Sequence, residues 1–165
     1  MSPNKLLIEK QEFHLKKAIA KKLNGYKEVK VKPMTQRLGQ IALLVREYDE
    51  AIRYYTEILG FELLEDTQMS ETKRWVRVNP PGSACHLLLA KAATETQQNQ
   101  IGHQAGGRVF LFLYTDDFWR DYKMYTSRGV EFIREPSEED YGTVSVFKDL
   151  YGNLWDLIEP RNQEI

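Results

Sequence analysis

YTEILGFELLE (Tyr55–Glu65) returns as YTSRGVEFIRE (Tyr125–Glu135) in the second half of the chain. Each copy sets a Tyr-Thr pair before a glycine, then an apolar segment carrying Glu62 or Glu131 and closing on Glu65 or Glu135. Self-similarity of this kind marks a repeated supersecondary unit, so the chain reads as one unit used twice. Ahead of the copies lie two alternating or wholly apolar runs, Gln40 to Val45 and Val109 to Tyr114. Acidic residues that favour a helix start follow each run, Asp49-Glu50 and Asp116-Asp117, so each half opens as a strand entering a helix.

The helices are expected over Asp49 to Leu59 and Phe118 to Arg128, with apolar stripes of Ala51, Ile52, Tyr55 and Leu59 in the first and Phe118, Tyr122 and Tyr125 in the second. Gly60 and Gly129 stand where each helix ends, since glycine enters the left-handed region without a side-chain clash. Three strands should follow each helix. In the first half they are Phe61 to Glu65, Lys73 to Asn79 and Ala84 to Ala90; in the second, Val130 to Arg134, Thr143 to Lys148 and Leu154 to Glu159. The order is βαβββ twice, an α+β fold. Module one runs over about residues 37–91 and module two over 108–160, within a domain spanning 34–165. The polar segment 92–107 joins them, and its length makes it a candidate cavity lid.

Residues 1–33 differ from the rest. Nine lysines against three glutamates give this arm about +6 and leave about −7 for the remainder, within a net charge of −1. Ile8, Leu15, Ile19 and Leu23 recur at helical spacing and Asn24-Gly25 supplies a stop, so one basic amphipathic helix is expected there. Its charged face reads as a solvated surface against the domain or a partner subunit; a tether to nucleic acid or an anionic membrane is the other reading. For the whole chain the near-balance of charge argues against a general polyanion binder. No run approaches the length of a membrane span and no secretion signal is evident, while the single Cys85 sits among apolar residues as a reduced thiol would, which suits the cytoplasm.

Particular residues narrow the fold. Ile41-Ala42-Leu43-Leu44-Val45, then Asp49, Ala51, Tyr54-Tyr55 and Leu59-Gly60-Phe61, resembles the opening module of vicinal oxygen chelate proteins, the glyoxalase/bleomycin-resistance/extradiol-dioxygenase group. Phe147-Lys148-Asp149-Leu150-Tyr151-Gly152-Asn153-Leu154-Trp155-Asp156-Leu157 resembles their closing F-x-D-P-x-G-N-x-W-E-L hairpin. The resemblance spans roughly Arg37 to Pro160. It implies paired modules whose curved sheets enclose a shared cavity, and a homodimer in which some members bury that cavity between subunits.

In metal-dependent members of that group four side chains meet a divalent ion, leaving positions open for two vicinal oxygens of a substrate. The resemblance places those positions on Gln40, Leu88, Phe110 and Asp156. Gln40 and Asp156 carry donor oxygens; Leu88 and Phe110 carry none. No cofactor is therefore expected, a degenerate site of Gln40 and Asp156 for Ni, Zn, Mn or Fe being the alternative. The two residues read more readily as hydrogen-bonding each other or a ligand than as coordinating a metal. His86 shares a strand face with Leu88 one rung away, and His103 in the linker is a candidate gate or ligand contact, although both also read as ordinary hydrogen-bonded or exposed histidines.

Alternation places Phe110, Phe112 and Tyr114 on the cavity face of one strand and His86 and Leu88 on that of another, with Gln40 and Asp156 as polar fixtures. An aromatic, mostly apolar surface of this kind suits a planar or amphipathic small molecule, and equally the same aromatics could fill a core. Trp75 and Trp155 read as structural, packing strand faces against helices, while Asp149, Gly152 and Asn153 shape the last turn. Two functions follow: a metal-independent small-molecule-binding protein of the bleomycin-sequestering kind, or a lyase, isomerase or dioxygenase with an altered metal site in which Asp156 is a base or ligand.

Overall fold

The computed structural model describes residues 12–17 and 36–161. Residues 12–17 are helical; the rest of the expected N-terminal helix lies outside the described residues.

From residue 36 onward the chain builds two four-stranded mixed sheets by the same route. The first contains β1 (Gln40–Val45), β2 (Glu62–Gln68), β3 (Arg74–Asn79) and β4 (His86–Lys91) in the order β1-β4-β3-β2. The second contains β5 (Val109–Tyr114), β6 (Ser137–Glu139), β7 (Gly142–Lys148) and β8 (Leu154–Pro160) in the order β5-β8-β7-β6. In each sheet the first and last strands of the module run parallel and the remaining pairs antiparallel. Parallel neighbours require a crossover, which the helix of each module provides. These helices are α1 (Tyr48–Arg53), continued by a π-helical turn over Tyr54–Ile58, and α3 (Phe118–Ser127); α2 (Glu95–Asn99) lies in the linker. Gly60 and Gly129 end the crossover segments with φ of 73° and 83°.

The duplication extends to side-chain bonds. Thr56 donates to the Ile52 carbonyl and Thr126 to the Tyr122 carbonyl, each at 2.8 Å. The π turn has a use that helical spacing in the sequence does not reveal. Its extra residue per turn brings adjacent tyrosines inward together: Tyr54 donates to the Lys148 carbonyl at 3.3 Å and Tyr55 to the Asp149 carboxylate at 2.8 Å.

One apolar cluster holds both modules. Leu43, Val45, Val76, Val78, Leu87 and Leu89 line it from the first sheet, Phe147, Trp155 and Leu157 from the second, and Tyr55, Phe118 and Tyr125 from the crossover segments. Trp155 touches both Tyr55 and Phe61, with ring centroids 6.3 and 6.1 Å apart, and stacks on Phe147 at 5.8 Å. The modules are tied at the helices as well: Tyr125 Oη donates to the Leu59 carbonyl and Arg128 to the Ile58 carbonyl.

Two expectations are corrected. The strand foreseen over Val130 to Arg134 is broken: Ile133 and Glu131 exchange ladder bonds with Val146 and Lys148, the ladder stops, and it resumes only as β6. Pro136 lies in the break, where an edge strand tolerates a residue that cannot donate. Trp75, expected against a helix, alternates with the buried Val76 and so lies on the opposite face of its sheet. Trp155 packs as expected.

Candidate functional site

In-register partners share a face of a sheet, so the ladders show what each sheet presents on the side away from the core. On the first sheet Gln40 pairs with His86, and Ala42 pairs with Leu88, which pairs in turn with Arg77 and through it with Glu65. On the second, Phe112 pairs with Asp156, which pairs with Val146; Ile133, bonded to Val146, continues the row. Tyr114 lies one rung beyond, opposite Ile158. These are the faces turned away from the core; on the second, Val146 and Ile158 are buried while Phe112 and Tyr114 are exposed. Strand alternation thus brings Gln40, His86 and Leu88 together on one face, and Phe112, Tyr114 and Asp156 on the other.

Phe110 departs from this pattern. A register shift between Val109 and Leu111 takes it out of the ladder, and it packs, half-buried, against the core cluster. Across the ladders, Gln40 stands opposite His86 and Asp156 opposite Phe112. Leu88 and Phe110 are hydrocarbon side chains wherever they point. Among the described residues no group of three or more His, Cys, Asp and Glu side chains converges.

His86 has a partner that the sequence did not announce. Its Nδ1 lies 2.9 Å from Asn79 Oδ1, and Asn79 Nδ2 donates to the Ser83 carbonyl at 3.1 Å. The Ser83 carbonyl can only accept, so the amide must present nitrogen to Ser83 and oxygen to His86. His86 Nδ1 is then the donor, and in the neutral ring Nε2 is left with a lone pair. Asn79 is buried, which holds the ring from behind.

Asp156 is half-buried, and burial pushes its carboxyl above the ordinary carboxylate range, with Arg134 pulling the other way. Among the described residues it makes neither a hydrogen bond nor an ion pair. Phe112 and Tyr114 are 57 % and 53 % exposed. Walls of a closed cavity would be largely hidden from water, so in a single chain the second sheet presents these aromatics as an open surface.

The linker is fastened at two points. Gln104 sits along the free edge of β1, accepting from the Leu44 amide at 2.7 Å and donating to the Ala42 carbonyl at 3.2 Å, as a neighbouring strand would. Gly102, with φ of 76°, passes so close to the β7–β8 turn that a Cβ there would stand 2.0 Å from the Tyr151 carbonyl oxygen. His103 between them is exposed. A strap so anchored covers the edge of β1.

That turn is the most heavily bonded feature near the site. Asp149, buried, accepts from Tyr55 Oη, Tyr151 N, Asn153 N, Asn153 Nδ2 and Trp155 Nε1 at 2.8 to 3.2 Å. It shapes the last hairpin, as its position in the motif implies, and the strand leaving the turn carries Asp156. No helix among the described residues is long and apolar enough to cross a membrane.

Comparison with known proteins adds the following. Residues 37–157 match the model of the Glyoxalase/Bleomycin resistance protein/Dioxygenase superfamily. An uncharacterized protein of Shewanella frigidimarina (strain NCIMB 400) is 56% identical over 133 residues, covering 79% of this chain and 98% of the relative. The crystal structure of UcmS2 superposes with a TM-score of 0.67 at 30% identity, over 76% of this chain and 99% of that one. TnmS3, an antibiotic binding protein from Streptomyces sp. CB03234, superposes with a TM-score of 0.64 at 28% identity, over 78% and 99%.

Proposed function

This chain belongs to the Glyoxalase/Bleomycin resistance protein/Dioxygenase superfamily, and from that premise we propose that it binds a small, partly aromatic or amphipathic molecule without the full metal centre of its catalytic relatives. The observation that carries this reading is the make-up of the open faces. Two of the four positions where a metal ligand is expected hold Leu88 and Phe110, so the donor set does not fit a four-ligand centre. In place of donors the second sheet offers Phe112 and Tyr114 beside the half-buried Asp156, an apolar platform with one polar anchor. The likeness to an antibiotic binding protein points the same way.

The exposure of Phe112 and Tyr114 supports a second element of the proposal, that two copies of the chain pair and complete the cavity. A bare apolar strand at a sheet edge invites association, and β5 reads VFLFLY. The free Cys85 thiol suits a reducing compartment, and we place the protein in the cytoplasm. The alternative is a lyase, isomerase or dioxygenase that recruits a divalent ion through Gln40 and Asp156, with Asp156 as base.

Light scattering and a thermal-shift screen on chelator-treated protein test the proposal together. A dimer stabilised by planar aromatic compounds without added metal supports it. A monomer, or stabilisation that appears only with Ni²⁺, Zn²⁺, Mn²⁺ or Fe²⁺, counts against it.

A further inference from the structure

We infer that Asp156 selects the charge of the ligand, so that the molecule held on the second sheet is a cation, or a cluster of hydrogen-bond donors, carried on a planar apolar body. The inference rests on the small-molecule reading above and deepens it. Several charged side chains on or beside the two sheets are already neutralised by a neighbour. Arg77 pairs with Glu65 at 2.8 Å, Lys148 with Glu131 at 2.7 Å, and Arg134 with Glu139 at 2.8 Å. Asp156 has no such partner among the described residues. It stands in the row Phe112, Asp156, Val146, Ile133, where every neighbour in the row is hydrocarbon.

A carboxylate held partly out of water beside hydrocarbon loses solvation that only a cation or a strong donor restores. Arg134 is near enough to act on it electrostatically, but its Nη2 bonds Ser137 and Glu139, and among the described residues it makes no bond to Asp156. The exposed rings of Phe112 and Tyr114 add to the same preference, because the face of an aromatic ring attracts positive charge. The polar fixture on the other sheet agrees in sign. With Nδ1 engaged by Asn79, neutral His86 offers Nε2 as an acceptor. Both fixtures ask the ligand for donors. A ligand led by a carboxylate or a pair of vicinal oxygens would meet repulsion at Asp156, which separates this preference from the oxygen-chelating chemistry of metal-dependent relatives.

The test uses three probes with one ring system and different charge at neutral pH: cationic 9-aminoacridine, neutral acridone and anionic acridine-9-carboxylate, titrated into the full chain by calorimetry. A charge-assisted contact gives the cation about tenfold or more over acridone. Asp156→Asn should bring the two within about twofold, and Asp156→Glu should retain the preference. Phe112→Ala should weaken all three probes together. Equal binding of the three probes, or a preference for the cation that survives Asp156→Asn, overturns the charge inference and leaves the small-molecule reading standing. Failure of all three to bind overturns both.

Discussion

The Tyr55 hydroxyl donates to the Asp149 carboxylate at 2.8 Å across 94 positions of sequence, and through this bond the crossover of module one is fixed to the last turn of module two. Among the described residues Asp149 makes no ion pair; five donors stand in for a cation. Removing the acceptor strands buried donors, so Asp149→Ala should cost about 3 to 5 kcal/mol, and Tyr55→Phe, which deletes one bond to a charged group, about 2 kcal/mol. Urea unfolding of the two single variants and the double variant measures this. Simple additivity of the two losses would show that the bond does not couple the modules.

Alkaline stability follows from the same contacts. Burial raises the phenols of Tyr54, Tyr55, Tyr125 and Tyr151 above their ordinary value, with Asp149 adding to the rise for Tyr54 and Tyr55 and Glu50 for Tyr151. A group whose folded pKa is raised stabilises the fold fully below its unfolded pKa, about 10 for tyrosine, and that contribution is lost as pH rises beyond it. Stability should therefore fall steeply above about pH 10, and phenolate absorbance from these four residues should appear together with unfolding. Gradual ionisation of all the tyrosines in the folded protein would contradict the packing described.

The linker makes a separate prediction. Gln104→Ala uncovers the β1 edge and should cost about 1 kcal/mol, with faster hydrogen exchange at the Leu44 amide. Gly102→Ala should cost more, about 3 kcal/mol, because it drives a methyl group into the Tyr151 carbonyl at a positive φ. If both changes are silent in thermal unfolding, the strap is not fastened as described.

Asn79 should hold the tautomer of His86. Nitrogen NMR of the neutral ring is expected to show the proton on Nδ1, and Asn79→Ala should release the ring to the Nε2-protonated form that free imidazole side chains favour. A ring already protonated on Nε2 in the parent protein would remove the acceptor from the first sheet's open face.

Some of this was legible in the sequence, for reasons that particular elements make clear. β1 and β5 fall on the runs that apolar patterning selects, and alternation puts Phe112 with Tyr114 on one face of β5 and His86 with Leu88 on one face of β4, because strand periodicity is local. Phe110 was misjudged because a bulge is one residue of slippage that leaves no mark in composition. The break before β6 was missed, although Pro136, which cannot donate to a ladder, stands in it. Asn79 on His86 and Gln104 on β1 are contacts across strands or loops, which no spacing along the chain encodes. The exposure of Phe112 and Tyr114 was hidden for the same reason, since whether an aromatic face is covered depends on what packs opposite it.

The most direct test of the account is a calorimetric titration of chelator-treated protein with 9-aminoacridine, run without metal and again after addition of Ni²⁺, on the parent chain and on the Phe112→Ala, Tyr114→Ala double variant. Saturable binding without metal, little change on adding Ni²⁺ and a loss of about tenfold or more in the variant are expected. Binding that requires the metal, or that the double variant leaves untouched, would contradict the proposed function.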